Sequence, residues 1–257
     1  MLTRLSRYAF GAALSVASSG IFAGVVFTDS TFNLAGYSTT PTFTTPAVTL
    51  TYGQCLSCGN PALGLQIVVN ETTAAGGAAD VGFVNNLFTY DPGTQGAISS
   101  IGAQVDKNLL IDVGNTNGFG IGTTFGNTFR PLISQGGLYY LAAIAGPTLP
   151  GPTSSGPYSM STGYNTLSQA GLLATNFTQY DFATGVFGIV HPNFATGVLS
   201  FGLGQISSVG TGFTNTTTTA QYDNLRINVT SVPEPGTLAL FGFGLAGVFA
   251  MRRRRLV

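Results

Sequence analysis

The chain has 257 residues, of which 44% are hydrophobic and only 7% are charged, and its formal net charge is zero. A cytosolic globular protein usually carries about 25% charged residues, so this composition argues against an intracellular enzyme. Between residues 24 and 231 there are three basic and eight acidic side chains, a net charge of −5, which excludes the basic surface of a nucleic-acid-binding protein. The surface is expected to consist of Thr, Asn, Ser, Gln and Gly, as in many exported β-proteins.

Residues 1–23 read MLTRLSRYAFGAALSVASSGIFA. Two arginines precede an apolar stretch from Tyr8 to Ala17, and small residues follow. This order of basic, apolar and small residues is typical of a secretory signal peptide. The apolar stretch is short against the ~20 residues of a membrane-spanning helix, which makes an uncleaved anchor the less favoured alternative. We therefore predict cleavage by signal peptidase after Ala23, with a cut after Ser19 as the alternative.

Residues 24–231 contain no long stretch of helical periodicity. Short β-branched and aromatic runs alternate with Gly, Asn, Pro and Thr instead, a pattern typical of strands joined by turns. We predict an all-β domain, a single antiparallel β-sandwich of jelly-roll-like form. The predicted strands are Val48–Tyr52, Leu63–Val69, Asn108–Val113, Leu138–Ala145, Gly185–Val190, Gly197–Leu203 and Ala220–Val229. One or two helical turns are predicted near Thr166–Ala174, and a loop over Pro147–Tyr158.

Cys55 and Cys58 are the only cysteines of the sequence. A zinc site needs four Cys or His ligands, and the single histidine, His191, is far away in sequence. A thioredoxin-like redox site is disfavoured because the helix-breaking Gly59-Asn60-Pro61 follows the pair. In an oxidising exported compartment, a local disulfide between the two cysteines is the favoured outcome, with free or redox-active thiols as the alternative.

Catalytic machinery is sparse in this sequence. No G-x-S-x-G motif occurs, so the nucleophile elbow of many hydrolases is missing, and His191 is expected in a loop between strands. Glycosidases use two carboxylates about 5–10 Å apart, for which Asp106 and Asp112 are the pair considered. We predict no catalytic residues and keep a secreted hydrolase that uses aspartates as the lesser alternative.

The last predicted strand, in AQYDNLRINV, has a clear two-residue alternation. Leu225, Ile227 and Val229 alternate with polar residues, which predicts one buried and one solvated face. Asp223 shares the parity of the buried residues but is predicted to lie at the start of the strand, at the rim of the sheet. The opening segment 25–33, VVFTDSTFN, is predicted to form a first strand that pairs nearby.

The segment 232–257 reads VPEPGTLALFGFGLAGVFAMRRRRLV and has three parts. Val232, Pro233, Glu234 and Pro235 form a rigid extended turn, because each proline fixes its own φ and biases the residue before it away from a helix. Residues 237–251 are uncharged and mostly apolar, which predicts a short transmembrane helix of ~23 Å. The stop-transfer residues, which hold this end in the cytoplasm, are Arg252, Arg253, Arg254 and Arg255.

This order of motif, apolar helix and arginine cluster resembles the PEP-CTERM sorting signal. The resemblance implies a Gram-negative bacterium that makes extracellular polysaccharide, and processing near the motif by exosortase, a membrane-embedded cysteine transpeptidase-like enzyme. It assigns Pro233, Glu234 and Pro235 to recognition by that enzyme. The protein is then expected to be anchored transiently in the inner membrane and to end at the outer surface or outside the cell, where extracellular polysaccharide is an expected partner.

The two ends of the domain carry a second resemblance. The opening Phe-Thr-Asp and the closing Tyr-Asp-Asn-Leu-Arg-Ile resemble the ends of carbohydrate-binding-module-like jelly rolls. In such folds, carboxylates near the terminal strands often hold a structural calcium ion, which prefers several oxygen ligands. The resemblance implies Asp29 and Asp223 as two such ligands; the alternative is that both make only turn or strand-edge hydrogen bonds.

The sequence as a whole favours a non-catalytic exported protein of the cell surface or extracellular matrix. A carbohydrate-binding jelly-roll module is the alternative function.

Overall fold

The computed structural model describes residues 24–60, 62–73, 75–116, 126–143, 157–211 and 213–232, together with Gly244. The predicted signal peptide at 1–23, the transmembrane helix at 237–251 and the arginine cluster lie outside these residues. In the described part of the chain, no helix is long and apolar enough to cross a membrane.

Nearly all regular structure is antiparallel β. The strands, in chain order, are β1 (Val25–Asp29), β2 (Tyr37–Thr39), β3 (Phe43–Thr44), β4 (Val48–Gly59), β5 (Ala62–Glu71), β6 (Gly77–Tyr90), β7 (Ile98–Thr116), β8 (Gly126–Gln135), β9 (Leu138–Ala142), β10 (Tyr158–Ser161), β11 (Asn165–Leu172), β12 (Phe177–Asp181), β13 (Val186–Phe187), β14 (Leu199–Val209) and β15 (Phe213–Ser231). Single helical turns lie at Leu34–Gly36, Pro92–Gln95 and Ala174–Asn176.

The strands form two sheets. The first sheet has the order β10-β7-β15-β5-β4, with β11 also beside β7 and β1 also beside β15. The second sheet has the order β13-β12-β9-β8-β14-β6-β2, with β3 also beside β6. This arrangement confirms the predicted antiparallel β-sandwich.

The main hydrophobic core lies between the two sheets. In β7 every second residue from Ile101 to Val113 is buried, while the residues between them are more exposed. In β14 the buried residues likewise include Leu199, Phe201 and Leu203. Because side chains alternate between the two faces of a strand, these two sets define the faces that the sheets turn toward each other.

The pairing of the first and last strands confirms the prediction for the opening segment. β1 runs antiparallel to the end of β15, with Val25 opposite Val229 and Asp29 opposite Leu225. Phe27 of β1 stacks on Phe88 at a centroid distance of 5.2 Å. The domain is therefore closed by its own two ends.

A β-bulge at Asn224 interrupts the last strand. Asp223 lies opposite Asp106, but the next pair is Arg226 with Gln104, so two residues of β15 face one residue of β7. Asn224 has a φ of 52°, the left-handed conformation that Asn tolerates better than most residues. The bulge therefore shifts which residues point into the core.

The position predicted for Asp223 is wrong. Asp223 lies in the middle of β15, which begins at residue 213, and it is completely buried. Before the bulge the even-numbered residues such as Tyr222 face the core, and after it the odd-numbered residues from Leu225 do so. The local alternation correctly predicted the second half of the strand but could not show that the strand extends through a change of parity.

Two further elements differ from the prediction. The helical turns expected near residues 166–174 are wrong, because Asn165–Leu172 forms the edge strand β11 along β7. Gly171 in this strand has a φ of 70°, which no right-handed helix can accommodate. Of the strand expected at 185–190, only Val186 and Phe187 pair as β13.

Candidate functional site

Asp29 organises the turn that follows β1. Its Oδ1 atom accepts hydrogen bonds from the backbone N–H of Thr31 at 2.9 Å and of Phe32 at 3.0 Å, and from the Thr31 hydroxyl at 3.1 Å. Its Oδ2 atom accepts a hydrogen bond from the hydroxyl of buried Tyr37 at 2.8 Å. Both carboxylate oxygens thus stabilise the chain around them, as an aspartate does in an Asx turn.

Asp223 anchors the tip of the β4–β5 hairpin against the bulge. Its Oδ2 atom accepts a hydrogen bond from the Asn60 backbone N–H at 2.5 Å, and its Oδ1 atom accepts one from the Asn224 N–H at 2.8 Å. The Asn224 amide donates to the Asn60 carbonyl and to Asp106 Oδ2. Burial raises the pKa of Asp223, and the charges of Asp106 and Asp29 raise it further.

The structural calcium site that the second resemblance implies stays a prediction. Asp29 and Asp223 bind different segments and share no hydrogen-bond partner. The described residues contain no group of three or more His, Cys, Asp or Glu side chains that could hold a metal ion. The hydrogen-bonding role, which was the alternative, describes what both carboxylates do in this structure.

Cys55 and Cys58 lie close together near the end of β4 as free thiols. Burial acts to raise the pKa of Cys55, but hydrogen bonds from Cys58 and Ser57 outweigh it and lower that pKa. Burial raises the pKa of Cys58 to about 12. The pair is not bonded in this structure, and the disulfide remains a prediction for the exported protein.

The residues considered for hydrolysis are spread apart. Asp106 and Asp112 lie on the outer face of β7, six residues apart on one continuous strand, which separates them by about 20 Å at 3.3 Å per residue. This distance is too long for a pair of glycosidase carboxylates. His191 lies in the loop before β14, where Nδ1 contacts the Phe177 carbonyl oxygen at 2.6 Å.

A cluster of polar and aromatic side chains lies on the outer face of the second sheet, and the sequence analysis did not predict it. We call it the Arg130 cluster, and it consists of Asp80, Arg130, Tyr180, Phe182 and Phe187. Arg130 of β8 pairs with Gly204 of β14. The next residue, Gln205, bonds to Tyr222 of the first sheet and so points inward. Alternation therefore directs Arg130 outward.

Arg130 is half-buried, and its hydrogen-bonding capacity is not fully used. Its guanidinium carbon lies 5.3 Å from the centroid of the Phe187 ring, within the range of a cation–π contact. Its Nε atom is buried without a hydrogen-bond partner. A buried guanidinium N–H normally finds an acceptor, so Nε is an unsatisfied donor within the cluster.

Asp80 and Tyr180 form the polar floor of the Arg130 cluster. The Tyr180 hydroxyl donates a short hydrogen bond to Asp80 Oδ2, and the backbone N–H of Ser207 donates to Oδ1 at 3.2 Å. Burial raises the pKa of Asp80, while the hydrogen bonds of Tyr180 and Ser207 and the charge of Arg130 act to lower it. Both side chains are about 2% exposed, so they support the site and do not themselves reach solvent.

Aromatic rings build the rim of the Arg130 cluster. Tyr180 lies 4.6 Å from Phe187 and 4.9 Å from Phe182, measured between ring centroids. Phe182 is buried, whereas Phe187 is 43% exposed. Ile189, two residues after Phe187, is 91% exposed. The exposed ring beside a guanidinium offers an apolar face and a cationic donor to the same ligand.

The cluster could not be predicted from the sequence, because its members come from β6, β8, β12, the β12–β13 connection and β13. One signal was present: only three basic residues occur between residues 24 and 231, and Arg130 lies among strand-forming residues. A charged residue in such a run is a candidate for function, since the surface of this protein otherwise avoids charge.

The comparisons with known proteins concern the tail and the fold. The family model of the PEP-CTERM protein-sorting motif matches residues 231–255. No curated protein matches the chain.

Two solved structures are similar to the sandwich. One is a family 11 carbohydrate-binding module from Clostridium thermocellum in complex with a beta-1,3-1,4-mixed-linked tetrasaccharide, with 9% identity and a TM-score of 0.34 over 82% of this chain and 98% of that chain. The other is the CBM22-1 xylan-binding domain from Paenibacillus barcinonensis Xyn10C, with 10% identity and a TM-score of 0.30 over 82% of this chain and 97% of that chain. These likenesses concern the arrangement of the strands and carry no assignment of function.

The sorting motif begins where the described domain ends. Ser231 is the last residue of β15, and the N–H of Val232 still donates to the Ala97 carbonyl at 2.6 Å. The match from residue 231 includes the predicted motif Val232–Pro235 and the arginine cluster 252–255. The chain therefore carries a PEP-CTERM protein-sorting motif and is an exported protein that is sorted through the membrane.

Proposed function

We propose that this protein is a non-catalytic component of the bacterial cell surface or extracellular matrix, delivered there as a β-sandwich on a disposable membrane tail. The observation that carries the proposal is the PEP-CTERM match at residues 231–255 directly after the last strand. Signal peptidase removes residues 1–23, and the helix 237–251 holds the protein in the inner membrane. Exosortase then acts near Pro233–Pro235 and releases the sandwich to the outside.

The distribution of side chains supports a non-catalytic role. The aspartates considered for hydrolysis, Asp106 and Asp112, are too far apart to act on one bond. Asp29 and Asp223 are engaged in hydrogen bonds that hold turns and the hairpin tip. The carboxylates of Asp29 and Asp223 thus act on the protein's own backbone and hydroxyl groups.

Sorting is tested with the full chain in its native host. Intact-mass analysis of the wild-type protein is expected to show loss of residues 1–23 and of the segment that follows the motif. Glu234→Ala and Pro235→Ala are expected to retain the tail and to remain in the membrane fraction. Thr230→Ala, an exposed position on β15, is the matched control and is expected to be processed normally. A cytoplasmic wild-type protein with both ends intact would contradict the proposal.

A second function, carbohydrate binding by a jelly-roll-like module, is favoured by the Arg130 cluster. A sugar ring can place its C–H face on exposed Phe187, while a hydroxyl or carboxylate oxygen is attracted by the charge of the half-buried Arg130 guanidinium. Arginine pairs well with carboxylates, so an acidic extracellular polysaccharide is the ligand that this chemistry fits best. The net charge of residues 24–231 is negative, so an acidic polysaccharide must bind at a site where the local charge is positive.

Binding is tested with the processed protein and the polysaccharide purified from the producing cells. Arg130→Gln is expected to weaken binding at least tenfold, since it removes a charged donor, and Phe187→Ala is expected to do the same. Arg226→Gln is the control, because Arg226 is exposed on the first sheet. Equal binding by all three variants and the wild type would exclude the Arg130 cluster as the site without affecting the sorting proposal.

A further inference from the structure

Lys107 is an unusual residue for the core of a β-sandwich. It is the only lysine of the sequence, it lies on the inward face of β7, and it is 0% exposed. Its ammonium nitrogen lies 5.2 Å from the centroid of the Tyr222 ring. Lysine is almost never fully buried unless it is paired, so the group that it contacts on the facing sheet is informative.

That group is Asn127 of β8, in the second sheet. Lys107 Nζ lies 2.7 Å from the Asn127 backbone oxygen and 2.5 Å from its side-chain oxygen Oδ1. Since a C=O bond is about 1.23 Å long, Nζ is at most about 3.7 Å from the carbon Cγ of the same amide. Reacting atoms in a near-attack arrangement are about 3–3.5 Å apart, so a small rotation of either side chain brings Nζ within reach of Cγ.

A buried network holds the Asn127 amide in place. Asn127 Nδ2 donates to Ser207 Oγ at 3.2 Å, Gln205 Nε2 donates to the same oxygen at 2.8 Å, and the Tyr222 hydroxyl donates to Gln205 Oε1 at 2.9 Å. All these side chains are at most 5% exposed. The amide is thus fixed with its oxygen toward the amine and its nitrogen toward a hydroxyl.

We propose that Lys107 and Asn127 react to form an intramolecular isopeptide bond that joins the two sheets. Nζ forms a bond to Cγ, the Cγ–Nδ2 bond breaks, and one proton moves from Nζ to Nδ2, which leaves as ammonia. Nothing is oxidised or reduced, and no co-reactant is required. Ser207 Oγ accepts a hydrogen bond from Nδ2 and so positions the leaving nitrogen.

The environment favours the reactive form of the amine. Only a neutral amine is a nucleophile, and burial lowers the pKa of Lys107 to about 7, so a large share of the amine is neutral near neutral pH. The dry core also keeps water from competing for Cγ. Strand register places Ser207 opposite Asn127 and Tyr222 opposite Lys107, and the packing of the two sheets brings the amine to the amide.

The bond would serve a protein exposed outside the cell. It joins β7 in the first sheet to β8 in the second and closes a loop of about twenty residues. Such a loop reduces the conformational entropy of the unfolded chain, as a disulfide does. Unlike a disulfide, it does not depend on the redox state of the surroundings.

The single lysine provides a decisive test. Protein purified from its host is denatured and treated with a lysine-specific protease, which can cut this chain only after Lys107. We expect the cross-linked protein to resist cleavage. A second digestion with a protease of different specificity should release a branched peptide that contains Lys107 and Asn127 and has lost the mass of one ammonia molecule.

Asn127→Ala removes the electrophilic carbon and is expected to restore complete cleavage at Lys107. Asn108→Ala, next to the lysine but half-exposed on the outer face of β7, should remain resistant. The wild-type result decides the proposal even where a variant fails to fold. Complete cleavage of denatured wild-type protein, or resistance without the branched peptide, would overturn it.

Discussion

The Tyr180 hydroxyl donates a hydrogen bond to Asp80 Oδ2 across 100 residues of sequence, on the outer face of the second sheet. This bond connects β12 to β6 and forms the floor of the Arg130 cluster. Because both side chains are buried outside the main core, the outer face of this sheet carries a second packed layer. That layer positions the Phe187 ring beside the Arg130 guanidinium.

The first prediction concerns this bond. Tyr180→Phe removes the hydroxyl and leaves Asp80 Oδ2 buried without that donor, which typically costs about 1–3 kcal/mol. The free energy of unfolding measured by urea denaturation is expected to fall by that amount. Tyr139→Phe, at a half-buried ring packed against Phe182, is the control and is expected to change it little. A smaller loss in Tyr180→Phe than in the control would show that the bond contributes nothing.

The second prediction concerns acid. Burial raises the pKa values of Glu71, Asp80 and Asp223 above their ordinary values of 4.5 and 3.8. For such groups the folded state binds protons more tightly than the unfolded state, so stability is greatest at low pH and falls as pH rises through the folded-state pKa values. We therefore expect the urea midpoint to rise as the pH is lowered from 7 towards 4. A midpoint that falls steadily over this range would contradict the prediction.

The third prediction concerns the bulge. Asn224 has a positive φ, and its side chain donates to Asn60 and Asp106. A β-branched residue is strained in this conformation by about 1–3 kcal/mol, so Asn224→Val should destabilise the protein by that amount in addition to the lost hydrogen bonds. Asn224→Gly loses only the hydrogen bonds and should destabilise it less. Equal free energies of unfolding for the two variants would show that backbone strain at this position is unimportant.

The sequence predicted those features that depend on nearby residues. The alternation of Leu225, Ile227 and Val229 correctly indicated the inward face of the last strand, and the tail motif was confirmed. The part of the strand that precedes Asp223 was not predictable. The bulge at Asn224 changes which alternate residues face the core, and this change depends on the backbone conformation of one residue. The strand β11 was mistaken for helical turns because its edge position along β7, and not its own propensity, determines its structure.

The buried lysine shows how much was missed and what could have revealed it. In the run IGAQVDKNLLIDV, Lys107 has the same parity as Val105 and Leu109, which are both buried. A two-residue alternation therefore places the lysine in the core. Its partner Asn127 could not be identified, because contacts between facing sheets depend on the packing of the whole sandwich.

The fourth prediction concerns the cysteines. The lowered pKa of Cys55 makes it the thiolate that attacks when the pair is oxidised, and the two side chains already touch. Protein collected outside the cell, once denatured, is expected to contain no titratable thiol. The loop is short, so Cys58→Ser should reduce the free energy of unfolding by less than the ~3 kcal/mol of a 15-residue loop. Two reactive thiols per chain in the native material would contradict the predicted disulfide.

The last prediction separates the two states of Lys107 by pH. In a chain whose amine is free, the folded-state pKa is about 7 and the ordinary value is 10.5, so between these values the unfolded state binds one more proton. Stability then rises with pH by about 1.4 kcal/mol per unit and levels off below pH 7, where both states are protonated. The cross-linked protein has an amide at this position and lacks the slope.

The comparison uses material that the lysine-specific protease has shown to be cross-linked or free. Urea midpoints between pH 7 and 9 should stay constant for the cross-linked protein and rise for the free form. The pKa values of Cys55 and Cys58 are also shifted, so the comparison uses protein in which the two thiols are oxidised to the predicted disulfide and do not titrate. Burial raises the pKa values of Tyr37, Tyr180 and Tyr222 above this window. A rising slope in cross-linked material would show that another group titrates in the core, since an amide nitrogen cannot.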